Sequence, residues 1–412
     1  MVKPLKGDWY RRGPSLLLTA IRRQLGLGVP TPGASATVPA LAAAGRCTVL
    51  PIDHLPRQVL PEHDVTGDLA ALEEVRCRID NPVARATFDR MLRGGVTQPE
   101  ERSFVANLAG GRVTNDAGIV MAAGEAVLED VSGIGFADDS PANPLRLSHL
   151  PRPRPTPQTL AVLTTGPHYK YYHWLLEALP RLDLYERSAM AIDGFYAPIR
   201  HRFQRESLAL LGVPQNRIVP ATRHAHLAPA RLLVSSLHGS LSRAKTDFLF
   251  RRLTAHLEPW GGPAHRIYIS RGSRGPRSIV NERELLRALQ PLGFRRHRLE
   301  GMPLAGQIAL FHRAECVIGP HGAGLANLVF CRPGTKVVEI GTPYRPWTCF
   351  YEIAHHRQLD YHLHLAGPVR VRHFDPGTAV GDSDMRVDPA AVRAVAELIL
   401  ADRTRRPERA AA

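Results

Sequence analysis

A glycine-rich turn between two apolar runs is the part of the sequence best suited to binding an anion. Residues 316–341 have the pattern strand, turn, helix, strand, and the turn reads Gly319-Pro320-His321-Gly322-Ala323-Gly324. Such a turn presents backbone N–H groups at the carboxyl edge of a sheet, and glycines let a bulky anion approach them. A dinucleotide fingerprint is not satisfied, because Asn327 stands where its third glycine belongs. The pattern therefore predicts a pyrophosphate site rather than a nicotinamide site, with candidate residues His321, Gly322, Ala323, Gly324 and Asn327.

Two arginines and a glutamate are expected at the same edge of that sheet. Arg271 and Arg277 follow the strand-like run 266–270, and Glu339 closes the run 336–340. Because the carboxyl ends of parallel strands meet at one edge, the guanidinium groups are placed to bind a diphosphate and to stabilise a departing charge. Glu339 is placed to accept ribose hydroxyls. The alternatives are ordinary surface arginines and, for Glu339, a helix cap or a salt bridge.

A histidine and a glutamate elsewhere in the chain have the spacing for acid–base chemistry. His173 and Glu177 are four residues apart, on the side of the predicted helix 171–187 opposite its apolar stripe. The helix follows a strand-like run, so the pair is placed to take a proton from an acceptor hydroxyl. His168, on the turn before the helix, competes for the role of base. Alternatively, the pair belongs to a solvated polar face in which Glu177 pairs with Arg181.

Two further polar patterns are weak candidates for a metal site. Asp382-Ser383-Asp384 resembles the DxD motif that holds a divalent metal in some enzymes, but no apolar strand precedes it, so we predict a solvated loop. Four histidines lie close together in the sequence without a Cys or carboxylate at ligand spacing. We therefore predict no metal site, and core or surface positions for His355, His356, His362 and His364.

Strand-like and helical segments alternate regularly after about residue 160. Such alternation predicts an α/β fold with parallel sheets wound by right-handed crossovers. We expect a GT-B-like arrangement of two Rossmann-like, doubly wound domains that face each other across a cleft, after an irregular, β-containing N-terminal region with a hairpin at Asn115–Gly118. The strand-like runs are 160–165, 194–197, 231–236, 266–270, 315–319, 336–340 and 360–365, and the helical ones are about 171–187, 200–212, 243–257, 281–290, 303–313, 323–330, 349–358 and 389–402.

Changes in composition give the predicted domain boundaries. Residues 26–45 are rich in Gly, Pro, Ala and Thr, which is typical of a linker. A second Pro- and Gly-containing stretch, 255–265, divides the α/β array and is predicted to be a hinge. The predicted parts are a basic tail and linker (1–45), a first domain (46–258), a second Rossmann-like domain (259–385), and a C-terminal helix and tail (386–412).

The composition is that of a globular protein with a strong positive charge. The formal net charge is +15, which suits a polyanionic partner, although dispersed arginines on a solvated surface are the simpler explanation. The five cysteines form no CxxC pair, and no apolar run approaches the ~20 residues of a membrane-spanning helix. We therefore expect a reduced, cytoplasmic protein. Its basic N-terminus is either a frayed tail or a segment in peripheral contact with an anionic membrane.

Three strings of residues, in this order, resemble the motifs of glycosyltransferase family 61. The first runs from Tyr171 to Glu177 and continues with Leu179-Pro180-Arg181-Leu182; the second and third are Tyr268-Ile269-Ser270-Arg271 with Arg277 and Asn281-Glu282, and Gly319 to Asn327. The resemblance covers roughly residues 100–365. It implies a GT-B fold, an inverting mechanism without an obligatory metal or other cofactor, and a nucleotide-sugar donor, usually a UDP-sugar.

The resemblance also implies roles for the two predicted domains. Residues 259–385 would bind the nucleotide sugar, and residues 46–258 would face a glycan or lipid-linked glycan acceptor. His173, Glu177 or His168 would then deprotonate the acceptor hydroxyl. The family includes bacterial enzymes of polysaccharide synthesis, so we expect a role in capsular or surface polysaccharide, at the inner face of the cell membrane or free in the cytoplasm.

Two other functions stay open as alternatives. A polysaccharide pyruvyltransferase-like enzyme on a similar scaffold would use phosphoenolpyruvate, so the binding of UDP against phosphoenolpyruvate separates it from a glycosyltransferase. A non-enzymatic basic protein would bind nucleic acid or anionic lipid. Aromatic residues that stack on bases do not interleave with the basic residues, so we expect no nucleic-acid partner.

Overall fold

The chain divides into two compact units. The structure, a computed structural model, describes residues 28–79, 82–93, 97–98, 101–123, 126–133, 143–146, 149–236, 241–259, 262–272, 277–345, 347–375 and 380–402. Unit 1 consists of residues 1–55 and 101–239, and unit 2 of residues 56–100 and 240–412. Both units are mixed α/β, as the alternation of segments predicts.

Unit 1 is built on a ten-stranded mixed sheet. Four neighbouring strands of it are parallel, in the order Ile218–Pro220, Gly194–Ala197, Arg154–Val162 and His226–Ser235. The last of these also pairs antiparallel with Glu101–Ala109 and Arg112–Thr114. The rest of the sheet is made of Thr48–Leu55, Ile119–Met121, Ala126–Leu128 and Ala34–Ala36, and the helices are Val38–Ala43, Tyr171–His173, Trp174–Ala178, Arg181–Ser188 and Arg202–Leu210, with short 3-10 turns at Pro144–Arg146 and Gln215–Arg217.

The N-terminal part of unit 1 agrees with the sequence in one place and differs in another. The hairpin predicted at Asn115–Gly118 is confirmed, because the strands on either side of it pair antiparallel. The predicted linker is wrong for residues 28–45. Gly28–Pro30 pairs with His149–Pro151, Ala34–Ala36 pairs with Ala126–Leu128, and the helix that follows buries Val38 and Leu41 in the core. These residues are therefore an integrated part of unit 1, and their linker-like composition comes from short β segments between turn residues.

Unit 2 contains a parallel sheet of six strands. Five come from the C-terminal half of the chain, and four of these match the predicted runs. The sixth strand, Asp64–Gly67, comes from the N-terminal half and pairs in parallel with Asp360–Leu365. The strand order is Phe294–His297, His265–Ile269, Ala314–Pro320, Lys336–Gly341, Asp360–Leu365 and Asp64–Gly67.

The helices of unit 2 place the domain boundaries differently from the prediction. The helix Arg243–Thr254, predicted to lie in the first domain, contacts the 3-10 helix Ala323–Phe330 of unit 2. The C-terminal helix, Pro389–Ala401, buries Val392 and Ala396 in the same apolar core as strands of the parallel sheet, so it is not a separate tail. The other helices are Leu69–Cys77, Pro82–Arg93, Glu282–Leu289, Leu304–His312 and Cys349–His356, with a 3-10 turn at Gln290–Leu292, and a small ladder joins Gln58–Val59 to Thr97–Gln98.

The loop predicted around the DxD-like motif is in fact a strand. Val380–Arg386 pairs antiparallel with Gly367–Asp375, with Asp382 opposite His373 and Asp384 opposite Arg370 in the backbone register. The polar composition of this strand hides it from a search for apolar runs, because its stability comes from backbone pairing and polar partners. Asp384 is nearly buried and accepts a hydrogen bond from the backbone N–H of Ser278.

In the part of the chain that the structure describes, no helix has the length and apolar character needed to cross a membrane. The basic N-terminal segment, residues 1–27, lies outside the described residues.

Candidate active site

The glycine turn forms at the carboxyl edge of the parallel sheet in unit 2, as predicted. The strand Ala314–Pro320 ends there, and the backbone N–H of His321 donates to the carbonyl of Ile340 on the next strand, at 2.9 Å. A 3-10 helix, Ala323–Phe330, follows over the predicted helical stretch 323–330. Ala323 and Gly324 are accessible at this edge, whereas His321 and Gly322 are buried.

The side chain of Arg271 passes directly over Gly322. A Cβ added to this residue would lie 1.6 Å from Nη1 of Arg271. The same guanidinium group donates to the carbonyl of His321 at 3.2 Å. The close approach to this glycine is therefore made by one of the two predicted arginines, whereas the sequence predicted an anion there.

Three arginines and one aspartate lie together beside the turn. Asp382 accepts a hydrogen bond from Nη1 of Arg345 at 2.7 Å, and its other oxygen lies 3.3 Å from Nε of Arg277. Arg271 interacts electrostatically with Asp382 and with both other arginines. The structure thus brings Arg271 and Arg277 together as predicted and adds Arg345 and Asp382, which we call, with them, the arginine cluster.

The arginine cluster has a net positive charge. Three guanidinium groups and one carboxylate give these four side chains a net charge of +2. Burial lowers the pKa of Arg277 to about 10, and the positive charges of Arg271 and Arg345 act in the same direction. Burial also lowers the pKa of Arg271. A partly buried excess of positive charge favours binding of an anion, because the anion offsets the repulsion between the arginines.

His321 and Glu339 form a buried hydrogen-bonded pair beneath the turn. Nδ1 of His321 lies 2.5 Å from Oε1 of Glu339, and the hydroxyl of Tyr361 donates to Oε2 at 2.7 Å. The ring of Phe350 packs against the imidazole. Burial lowers the pKa of His321 in spite of the neighbouring carboxylate. Both oxygens of Glu339 have protein donors and the residue is 1% exposed, so it is not open to a ribose hydroxyl here.

Asn327 is also placed within the protein. Its side chain is fully buried and donates to Oε1 of Gln307 at 3.1 Å and to the carbonyl of Gly324 at 3.0 Å. These bonds fix the first turn of the 3-10 helix. Asn327 is therefore in a position to shape the turn rather than to touch a ligand.

In unit 1, His173 and Glu177 meet as their spacing predicts. Nδ1 of His173 lies 2.6 Å from Oε1 of Glu177, and the two side chains are 28% and 31% exposed. The hydroxyl of Thr165, just after the strand Arg154–Val162, donates weakly to the other carboxylate oxygen at 3.4 Å. When Nδ1 is protonated and donates a hydrogen bond to Glu177, Nε2 of His173 has no proton and can act as an acceptor.

The helix that carries this pair is not continuous. Tyr171–His173 is α-helical, Trp174–Ala178 is a π-helix, and a new α-helix begins at Arg181. Pro180 has no N–H to continue the helical ladder, and a bond from the N–H of Leu179 to the carbonyl of Trp174, five residues back, accompanies the interruption. The indole N–H of Trp174 donates to Ser207 at 2.8 Å and anchors this segment.

The two competing interpretations of the pair are weakened by burial. His168 is 6% exposed, with Nδ1 3.0 Å from the carbonyl of Thr165 and Nε2 3.8 Å from Asp116, so both ring nitrogens face protein groups. Arg181 is 1% exposed and cannot pair with Glu177 in solvent. Of the three candidate bases, His173 and Glu177 are therefore the accessible ones.

Arg345 and Asp382 were not among the residues selected from the sequence. Arg345 follows the strand Lys336–Gly341, so the rule that selected Arg271 and Arg277 could have found it. Asp382 was considered only as a metal ligand. Within the described ranges, no group of three or more His, Cys, Asp or Glu side chains is arranged to hold a metal ion.

Comparison with known proteins identifies the region that contains most of these residues. The model of the family Glycosyltransferase 61 matches residues 171–338. The chain is 29% identical over 127 residues to the EGF domain-specific O-linked N-acetylglucosamine transferase of Drosophila melanogaster, which covers 30% of this chain and 24% of that protein. It is 41% identical over 67 residues to a beta-1,2-xylosyltransferase of Oryza sativa subsp. japonica, which covers 16% of this chain and 13% of that protein. The chain thus spans a quarter or less of the length of these curated relatives.

A solved structure of a dodecameric iron-containing heptosyltransferase in complex with ADP-D-beta-D-heptose is also similar. It aligns with 66% of this chain and 85% of that one, at 12% identity and a TM-score of 0.32. At that TM-score the similarity supports no conclusion about the fold. The family match, by contrast, includes His173, Glu177, Arg271, Arg277 and the glycine turn, and ends before Arg345 and Asp382. Over residues 171–338, the chain is thus similar to glycosyltransferase family 61.

Proposed function

We propose that the chain is an inverting glycosyltransferase that moves a sugar from a nucleoside-diphosphate donor, a UDP-sugar, to a hydroxyl of a glycan or lipid-linked glycan acceptor. The observation that carries the proposal is the arginine cluster beside a glycine turn in which Ala323 and Gly324 are accessible, within and next to the region matched by the family. A diphosphate is negatively charged and would offset the net positive charge of this cluster. A GT-B arrangement of the two units, a cytoplasmic location and a role in capsular or surface polysaccharide synthesis stay predictions.

The proposed donor site lies at the carboxyl edge of the sheet in unit 2. Arg271, Arg277 and the backbone N–H groups near Ala323 and Gly324 would bind the diphosphate and stabilise its charge as it leaves. His321, Glu339 and Asn327 would act indirectly, by holding the turn in place. We propose that these fixed positive charges make a metal ion dispensable.

The proposed base lies in unit 1. The oxygen of the acceptor hydroxyl would attack the anomeric carbon while the bond from that carbon to the diphosphate breaks, and the hydroxyl proton would pass to Nε2 of His173. Glu177 would accept the hydrogen bond from Nδ1 and stabilise the imidazolium that forms. In this arrangement, His173 is the base that takes the proton and Glu177 is the residue that positions it. The sequence alone did not distinguish these two roles.

Binding of UDP to the full chain tests this proposal. We expect UDP to raise the melting temperature, because a ligand at about 100 times its dissociation constant adds ~2.7 kcal/mol to the free energy of unfolding. A panel of nucleotide sugars would then identify the donor, and EDTA should leave the shift unchanged. Arg277→Ala should abolish most of it, whereas Arg393→Ala, which removes an exposed helix-surface charge in the same unit, should not.

Two outcomes would contradict the proposal. If no nucleoside diphosphate at millimolar concentration raises the melting temperature, the site does not bind such a donor. If phosphoenolpyruvate stabilises the chain and UDP does not, the pyruvyltransferase-like alternative is correct. A shift that disappears in EDTA and returns with Mn²⁺ would contradict metal independence alone.

A further inference from the structure

The strand Val380–Arg386 holds the two chain segments that carry Arg277 and Arg345. The backbone N–H of Arg277 donates to the carbonyl of Ser383 at 3.1 Å. On the other side, the N–H of Gly381 donates to the carbonyl of Tyr344 at 2.7 Å, and the hydroxyls of Thr342 and Ser383 are 2.7 Å apart. One strand therefore fixes the backbone of both arginine-bearing segments.

Asp382, on the same strand, contacts the side chains of both arginines. One carboxylate oxygen lies 2.7 Å from Arg345 and the other 3.3 Å from Arg277, and all three side chains are less than a quarter exposed. Two features add to this constraint. Arg277 has a positive φ of 67°, a backbone conformation that costs energy in a non-glycine residue, and the guanidinium of Arg345 lies 3.9 Å from the centre of the Trp347 ring.

A metal ion is a poor occupant for this position. A carboxylate in contact with two arginines already has two positive partners, and a divalent cation would add to an existing net charge of +2. The cluster thus keeps a net positive charge, which is the property that a diphosphate uses.

We propose that Arg345 is a third guanidinium ligand of the diphosphate and that Asp382 is a positioning residue that holds Arg277 and Arg345 in the binding geometry. This inference rests on the proposed function and assigns two residues beyond the family-matched region. It gives the DxD-like motif a role without metal. Alignment of the arginines before binding lowers the loss of side-chain freedom that binding otherwise requires.

The two possible roles of Asp382, charge neutralisation and alignment of the arginines, predict opposite effects when its charge is removed. Asp382→Asn raises the net charge of the cluster, so simple charge neutralisation predicts tighter binding of a diphosphate. If Asp382 aligns the arginines, the same change weakens binding. Titration calorimetry with inorganic pyrophosphate, on the full chain at fixed ionic strength, separates the two. We expect the dissociation constant to rise about 10-fold or more for Asp382→Asn and for Arg345→Gln, as for loss of a charge-assisted hydrogen bond.

A matched control removes another carboxylate from the same unit. Asp360 lies near Lys336 at the opposite, amino end of its strand, so Asp360→Asn makes the same charge change away from the cluster. We expect this variant to bind pyrophosphate like the wild type. In the double variant Asp382→Asn/Arg345→Gln, the losses should not add, because both changes disrupt one interaction.

The results distinguish failure of this inference from failure of the proposed function. A wild-type chain that binds neither pyrophosphate nor UDP contradicts the proposed donor site as a whole. If the wild type binds but Asp382→Asn binds equally or more tightly, Asp382 only neutralises charge and the inference is wrong. A gain in binding with Mn²⁺ that Asp382→Asn abolishes would make Asp382 a metal ligand instead. If Asp382→Asn does not fold, unchanged pyrophosphate affinity in Arg345→Gln overturns the assignment and a 10-fold loss supports it.

Discussion

The two units each contain a histidine–glutamate pair with nearly the same hydrogen bond and very different surroundings. The distance from histidine Nδ1 to glutamate Oε1 is 2.6 Å in His173–Glu177 and 2.5 Å in His321–Glu339. The first pair has side chains that are 28% and 31% exposed, and in the second pair the values are 4% and 2%. The same two side chains can therefore meet at a surface or inside a sheet edge.

This difference in burial separates the work that the two pairs can do. The first pair is only partly buried, so water still solvates its partners when they separate and its loss costs less stability than the loss of a buried pair. A buried pair that also receives the hydroxyl of Tyr361 contributes to stability, because removing one partner leaves polar groups unsatisfied. Because the two distances are nearly equal, accessibility is the reason why we propose His173–Glu177, rather than His321–Glu339, as the pair that exchanges a proton with a substrate.

The largest effect is expected on turnover when the exposed pair is broken. Glu177→Leu or His173→Ala should lower the rate of UDP release from the donor selected by the nucleotide-sugar panel by about 10²–10⁴, the range for loss of a general base. UDP affinity and melting temperature should change little, with at most ~1 kcal/mol lost in stability. Full activity of both variants would eliminate this helix as the source of the base and direct attention to His168.

The same substitution in the buried pair should act on stability instead. Glu339→Leu removes the acceptor of both His321 and Tyr361, and each buried group left unsatisfied costs ~1–3 kcal/mol. We therefore expect the free energy of unfolding, measured with urea, to fall by several kcal/mol. Glu339→Gln, which keeps the shape and one acceptor, should lose less. A fully stable Glu339→Leu variant would show that burial does not distinguish the two pairs.

A smaller effect is expected from acid. Burial lowers the pKa of His321 below its usual value of 6.5, and it lowers the pKa of both His356 and His364 to about 4. These groups are neutral in the folded chain and take up protons on unfolding, so stability is present above about pH 6.5 and decreases as the pH falls toward 4. Each such group contributes at most ~1.4 kcal/mol per pH unit in that interval.

Urea unfolding between pH 7.5 and pH 4.5 measures this dependence. His364→Gln should reduce the number of protons taken up on unfolding by up to one. The slope of the free energy of unfolding against pH should fall accordingly. An unchanged slope in this variant would mean that His364 takes up its proton equally well in the folded chain. His321→Asn, measured in the same way, extends the comparison to the buried pair itself.

Much of the parallel sheet in unit 2 was predictable from the sequence because its strands are short apolar runs separated by helices. Four of its six strands were found, together with the glycine turn that connects two of them. Phe294–His297 was missed because a single phenylalanine precedes charged residues, and Asp64–Gly67 because it is short, polar and far away in the chain. Pattern methods find strands that are buried on both faces and miss those at the edges.

The candidate site was predictable only where its residues are close in the sequence or share a recognisable turn. His173 and Glu177 meet because four residues make one helical turn, and Arg271 meets the glycine turn because both follow neighbouring strands. Glu339 was expected to face a ribose, yet its partners are His321 and Tyr361. The sequence placed the carboxylate at the correct edge without revealing which groups would surround it.

By itself, the sequence determined the alternation of strands and helices, the position of the glycine turn and the local histidine–glutamate pair, because hydrophobic periodicity and short-range spacing encode them. Tertiary structure alone decided that a polar strand, Val380–Arg386, lies between the segments carrying Arg277 and Arg345, and that Asp382 contacts both arginines. It also decided which histidine–glutamate pair is buried. Those outcomes depend on pairing between residues up to about a hundred positions apart in the sequence. The burial of these residues and the charges that surround them are therefore set only once the strands have come together.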